Sequence, residues 1–369
     1  MGEKAGNGQE LMDQNSTNRP TNVLNLGVGE LVEVRSVEEI LGTLDKDGRL
    51  EALPFMPEML KFCGRRFRVY KRADKACDRI EFQGMRRMKN AVHLEGLRCD
   101  GEAHGGCQAG CLIYWKEAWL KREEPGGPSA RALGPPQQAA IPPPRAFGVA
   151  GGSSSSSEAR LIEASIKPSN GADPDEKLFV CQATELNRAT ASLVRLEDPR
   201  QYWNDVRSGN VTLLAAIRGL LIGMYNRFQT LNKRHLPRLL LIKQGRRYPH
   251  IEGRLTKTPS SHLDLQPGEL VQIKSQDEIV RTLDTRNRNR GLTFDVEMLK
   301  HCGRRARVLR RIERIIDEGT GKMMKIDSDC IILEGVTCTG EYHRFCPRSI
   351  YPYWREIWLR RVEQPSVPG

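Results

Sequence analysis

Apolar and polar residues alternate in "ELVEVRS" (Glu30–Ser36) and again in "ELVQIKS" (Glu269–Ser275), the period of a half-buried strand. Helical spacing follows in "VEEILGTLD" and "QDEIVRTLD", predicting short helices capped by Ser36 and Ser275. "RRFRVYKR" and "RRARVLRR" read as strands, and "NAVHLEGLRC" and "DCIILEGVTC" as the most apolar ones. In "YWKEAWLKR" and "YWREIWLRR" the tryptophans stand four apart, which predicts a short closing helix. That helix would carry Trp115 and Trp119, or Trp354 and Trp358, on one face. Short strands, one short helix and an aromatic closing helix suit a small β-rich barrel or roll.

The paired segments share one offset. Sliding the chain by 239 residues lays Cys99 on Cys338 and aligns the two regions without a gap. The match runs for roughly a hundred residues, with about four positions in ten identical, as expected of a duplicated domain. Between the copies, Glu123–Glu158 is rich in Pro, Gly and Ser and reads as a flexible linker. After it, "LFVCQATELNRATASLVRL", "PRQYWNDVRSG" and "NVTLLAAIRGLLIGMYNRFQTL" look helical. Pro199 suits a helix start and Gly209 a stop, with Asn210 or Thr212 as caps for the third helix.

The expected fold class is therefore α+β. Two homologous β-rich domains, residues 26–122 and 261–363, flank the linker 123–158 and an α-helical basic unit 159–260. A disordered N-terminus (1–25) and a tail (364–369) complete the chain.

Composition changes this picture little. No run approaches the ~20 apolar residues of a transmembrane span. The polar start lacks the apolar core of a secretory signal, so a cytoplasmic protein is expected, with thiols or metal ligands rather than disulfides. Net charge is +12, and its distribution says more: Arg218 to Lys257 holds ten Lys or Arg and one acid, Glu252. That segment suits nucleic-acid phosphates, an anionic membrane under the amphipathic "LLAAIRGLLIGMYNRF", or simply a core helix with a solvated basic loop.

Candidate chemistry comes from what both copies keep. Of ten cysteines, Cys63 matches Cys302, Cys99 matches Cys338 and Cys107 matches Cys346. Cys77, Cys111 and Cys330 face Ile316, Ile350 and Ala91, and Cys181 lies outside both copies. Of seven histidines only His104 and His343 match each other. Three cysteines and a histidine per copy form a Cys3His set, which suits tetrahedral zinc, two ions per chain. The same residues also fit buried thiols packing a core, or reactive-cysteine, iron or haem chemistry.

Arg65, Arg66 and Arg68 match Arg304, Arg305 and Arg307. They could bind an anionic ligand or form a solvated strand face. Glu95 and Glu102 match Glu334 and Glu341, and suit a general base or a hydrogen-bond acceptor for a ligand histidine. The paired aromatics could stack on a ligand but more commonly fill a core.

"CTGEYHRFCPRSIYPYWREIWLRRVE", with "LQPGELVQIKSQDEIVRTLDTRNRNRGLTFDVEML", is similar to uncharacterised bacterial proteins found among genes for small-molecule or polysaccharide biosynthesis. The resemblance covers the second copy and part of the middle unit and implies no residue-level activity. It implies that the His position varies, which makes His343 the weakest member of its set. The opening strand loosely resembles the first strand of SH3-like small barrels.

No P-loop, dinucleotide fingerprint, His-Glu-x-x-His or Gly-x-Ser-x-Gly is present. Two functions follow as expectations. One is a binding or scaffold protein with two zinc-stabilised modules and a protein or nucleic-acid partner. The other is a metalloenzyme of a biosynthetic pathway.

Overall fold

The computed structural model describes residues 23–77, 84–123, 156–168, 176–194, 198–233, 237 and 241–362. The expected linker and both chain ends lie largely outside these residues. The chain is mixed α and β, with antiparallel sheets and few helices.

The first repeat builds a five-stranded sheet in the order Leu112–Lys116, Ala91–Arg98, Arg66–Arg72, Leu31–Val34, Leu120–Arg122. The second builds four strands in the order Ile331–Leu333, Arg305–Arg311, Leu270–Ile273, Leu359–Arg361. Registers recur at the sequence offset: Leu31 faces Arg68 as Leu270 faces Arg307, and Val34 faces Leu120 as Ile273 faces Leu359. The second sheet lacks the fifth strand, keeping only an isolated bridge from Ile331 to Trp354. Proline explains the loss. Ile113 of the first repeat becomes Pro352, which has no N–H to give to a ladder. Among the described residues no ladder joins the sheet edges into a closed barrel.

The short helices Val37–Leu41 and Gln276–Val280 start as expected, each with a capping box from Ser36 and Glu39 or Ser275 and Glu278. The closing aromatic helix needs correction. Trp115 lies in the strand Leu112–Lys116, and Trp119 in the single 3-10 turn Glu117–Trp119. Both are fully buried and meet the edge of Phe55, at 6.4 and 5.3 Å between ring centres. Phe294 meets Trp354 and Trp358 in the same way at 6.2 and 5.3 Å, so none of the four is open to stack on a ligand.

A buried carboxylate in that turn holds the chain's entry. Glu117 accepts the backbone N–H groups of Leu24, Asn25 and Leu26 at 2.8, 2.9 and 3.0 Å, and pairs with Arg72. Glu356 does the same for Leu263, Asp264 and Leu265, with Arg311. Leu24 and Asn25, assigned from sequence to a disordered terminus, are thereby fixed.

The helical expectation for Leu178–Leu196 is also corrected over its described part, 178–194. Lys177–Phe179 is a strand paired with Ile166–Pro168, only Leu186–Ala189 is helical, and Ala191–Val194 pairs with Met85–Arg87 of the first repeat. Leu161 and Leu186 enter the first repeat's core. Gln182 bonds the backbone N–H and C=O of Tyr114 at 2.8 and 2.9 Å, covering the edge strand there. Helices Arg200–Arg207 and Leu213–Asn232 follow, the second capped by Thr212. Asn210 instead bonds the backbone of Arg72.

The two repeats pack through a reciprocal contact. The Ile316 N–H donates to Cys107 Sγ at 3.4 Å, and the Cys77 N–H donates to Cys346 Sγ at 3.4 Å. Cys77 and Cys346 are the equivalents of Ile316 and Cys107, so the contact maps onto itself when the repeats are exchanged. Arg98 adds a bond to the Ser349 carbonyl (2.9 Å) and lies over the Tyr351 ring (4.2 Å).

Candidate functional site

The loop Cys99–Cys107 leaves the end of the strand Ala91–Arg98 and is anchored by the Cys99 N–H on the Cys111 carbonyl at 2.9 Å. Its glycine has a steric reason. Gly101 sits at φ +76°, and a Cβ there would lie 2.1 Å from the Cys107 carbonyl oxygen. Gly340 (φ +74°) would meet the Cys346 backbone at 2.5 Å. A buried carboxylate then braces each loop. Glu58 accepts the Ala103 N–H at 3.1 Å, and its equivalent Glu297 accepts the Tyr342 and Thr339 N–H groups at 2.6 and 3.1 Å. Sequence reasoning gave an acceptor role to Glu102, which is exposed, and missed Glu58. The matched "EML" at both positions was the available signal.

The histidines diverge. His104 is buried, with Nδ1 2.6 Å from Glu58 and Nε2 3.0 Å from the Val180 carbonyl. Both neighbours are acceptors, so both ring nitrogens donate. Burial works against a charge here, but the Glu58 carboxyl outweighs it and holds the imidazole pKa above its ordinary value. An imidazole donating at both nitrogens has no lone pair for a metal. His343 instead reaches Asp295 at 3.0 Å from a half-exposed position.

The Cys3His sets do not assemble. Cys99, His104 and Glu58 lie close enough to share an ion, but no three members of Cys63, Cys99, His104 and Cys107 do, nor of Cys302, Cys338, His343 and Cys346. Tetrahedral zinc would need sulfurs about 3.8 Å apart, from Zn–S bonds of about 2.3 Å. Cys63 and Cys302 pack against their repeats' cores, where burial pushes both thiols up to about 11. Cys338 is pushed up to about 12 by burial, and Cys346 faces Cys77. A second close group, His262, Asp329 and Glu356, forms part of the Arg311 ion-pair network.

The arginines do not line the cavity between the repeats. Arg66, Arg305 and Arg307 are exposed on the strands, Arg65 and Arg304 are exposed just before them, and Arg66 pairs with Glu33 and Glu123. Arg68 and Arg307 donate to the Gly29 and Gly268 carbonyls at 3.2 and 2.8 Å, tying down the turn before the first strand of each repeat.

Chemistry concentrates instead in a cavity of about 480 Å³ between the repeats. Four of the ten cysteines line it: Cys99, Cys107, Cys111 and Cys181. Ile316, Glu318, Arg348 and Tyr351 form the opposite wall. Burial raises all four thiols, Cys111 to about 11 and Cys181 to about 12. Cations oppose it: Arg310 acts on Cys107, and Arg348 and Arg98 on Cys111. No three of these sulfurs lie within 4.8 Å of one another. Tyr114 also lines the cavity, and its buried hydroxyl has no hydrogen-bond partner among the described residues.

Cys111 went unselected in the sequence because the other copy has Ile350 there, and Cys181 because it lies outside both copies. Cys111 had a local signal, since Cys99-x7-Cys107-x3-Cys111 places three cysteines within thirteen residues, and Cys181 had none. No protein-family model, curated protein or solved structure matches the chain.

Proposed function

We propose that the protein is a metal-cofactor-binding protein whose two repeats close on one thiol-ligated centre, an iron–sulfur cluster held by Cys99, Cys107, Cys111 and Cys181. One observation carries this reading: four cysteines line a single cavity, and no three of their sulfurs lie close enough to one another to share one ion. A cluster spreads its thiolates over several irons and so sets them wider apart than a single ion does. Its net negative charge would sit in the field of Arg98, Arg310 and Arg348, which offsets part of the cost of burying thiolates. Bound there, the cluster supplies one-electron chemistry or a structural tie. The chain's own residues supply the donors, the cationic field and the exclusion of water.

This replaces two zinc ions, one per repeat, by one centre per chain, and keeps a binding protein of the cytoplasm as the broader role. The cavity volume also supports the second reading, a metalloenzyme. About 300–1,000 Å³ is the range of small-molecule sites, and the free Tyr114 hydroxyl offers a polar handle for a substrate beside the centre.

The test is anaerobic purification of the full chain, with iron, acid-labile sulfide, zinc and the visible spectrum measured. Iron and sulfide in similar amounts are expected, with a broad absorption that dithionite bleaches. Cys111→Ser and Cys181→Ser should each lose it, while Cys63→Ser and Cys302→Ser retain it. Two zinc ions per chain, lost in the Cys63 and Cys302 variants, would restore the one-ion-per-repeat reading. A Soret band would point to haem and overturn the proposal.

A further inference from the structure

The long helix Leu213–Asn232 has a buried side and an apolar side that no described residue covers. Ala216 is buried, and Gly219 lets the Phe345 ring approach so closely that a Cβ would lie 2.4 Å from it. The opposite face exposes eight large apolar side chains, led by Leu214 (80%), Met224 (67%) and Leu221 (60%). Leu214, Ile217, Leu221, Met224, Phe228 and Leu231 repeat at alternating steps of three and four, which makes one continuous stripe. Trp203 (65% exposed), Ile242 and Tyr248 extend the same kind of surface beyond the helix.

Charge frames the stripe. Arg218 and Arg227 fall on its two edges at 3.6 residues per turn. The segment after the helix is strapped back onto it: Tyr225 donates to the Arg246 carbonyl at 3.3 Å, and Arg247 to the Thr230 hydroxyl at 3.0 Å. Lys243, Arg246 and Arg247 are thereby held beside the helix, in the stretch with ten basic residues and one acid. Arg218 also meets Glu341 at 3.2 Å and Arg246 meets Glu252 at 3.3 Å, but the segment keeps its basic excess, and a second copy would bring one basic rim against another. Nucleic acid would leave the apolar stripe unused. No helix among the described residues is long and apolar enough to cross a membrane.

We infer that this helix docks the protein flat on an anionic lipid surface, the stripe entering the acyl boundary and the basic rim meeting the headgroups. The inference is independent of the metal centre.

Tryptophan provides a direct readout. Of five tryptophans, Trp115, Trp119, Trp354 and Trp358 are fully buried, so Trp203 alone is poised to respond to a surface event. The full chain is mixed with vesicles of phosphatidylcholine alone, or of phosphatidylcholine with phosphatidylglycerol, and followed by co-sedimentation and emission wavelength. Binding to the anionic vesicles is expected, with a blue shift that Trp203→Phe removes and that added salt reverses. Reversing both charges in Arg246→Glu/Arg247→Glu should weaken binding by roughly tenfold or more. Leu221→Glu/Met224→Glu should abolish it while leaving far-UV circular dichroism unchanged. Three results would overturn the inference: no binding at low salt, equal binding to neutral vesicles, or a dimer that Leu221→Glu/Met224→Glu converts to monomer.

Discussion

The loops Cys99–Cys107 and Cys338–Cys346 share a frame, and the structure divides it into two kinds of residue. Glycine and the bracing glutamate do the same work in both: Gly101 and Gly340 make room for the closing cysteine's backbone, and Glu58 and Glu297 accept loop N–H groups. The histidines do not, for His104 is buried between two acceptors and His343 is half exposed on Asp295. The thiols that gather in the cavity include Cys111, which the second repeat lacks, and Cys181, which lies outside both repeats. What the repeats share builds loops and cores. The four-cysteine cavity combines two shared thiols, Cys99 and Cys107, with two that have no counterpart.

Mutations in equivalent positions sharpen that division. The largest symmetric effect is expected for Glu117→Ala and Glu356→Ala. Each leaves three backbone donors without their acceptor and takes one of two carboxylates from Arg72 or Arg311, which keep Asp74 and Asp329, a loss of about 3–5 kcal/mol. Urea unfolding of the full chain measures it, and an effect confined to one repeat would break the equivalence. Next come Gly101→Ala and Gly340→Ala, at about 1–3 kcal/mol each, since both add a Cβ against backbone at positive φ.

An asymmetric effect is expected from His93, which stands where the second repeat has Ile332. Burial, with Lys71, Arg98 and Arg348 nearby, depresses its pKa to about 3, against a bond to the Ile113 carbonyl that works the other way. The unfolded chain therefore binds a proton that the folded chain refuses between pH 6.5 and about 3. Stability falls as pH drops through that window, by at most about 1.4 kcal/mol per pH unit. His93→Ile should flatten this acid limb of the urea midpoint, and an unchanged limb would assign it to other groups. The smallest effects are expected for Arg66→Ala and Arg305→Ala, within about 0.5 kcal/mol by the same measurement.

Much of the fold was legible in the chain. The alternation in "ELVEVRS" gave a strand with Val32 and Val34 fully buried, and Ser36 and Ser275 cap helices as read. The closing tryptophans were rightly placed in the core but on the wrong element, because a strand followed by a tight turn can also bring residues four apart inward. The described part of Leu178–Leu196 misled for a different reason. Their apolar positions serve contacts with the first repeat and not a helix of their own, and a short apolar run does not reveal its partner. The site was half legible. Retention between copies found Cys99 and Cys107, and the same filter discarded Cys111 and Cys181, since a site between unlike neighbours need not be written twice.

The central claim, one thiol-ligated cluster between the repeats, rests most directly on iron and acid-labile sulfide per chain in the anaerobically purified protein and its Cys181→Ser variant. The account predicts iron and sulfide together in the parent protein and neither in the variant. Zinc at two ions per chain, unchanged by Cys181→Ser, would contradict it.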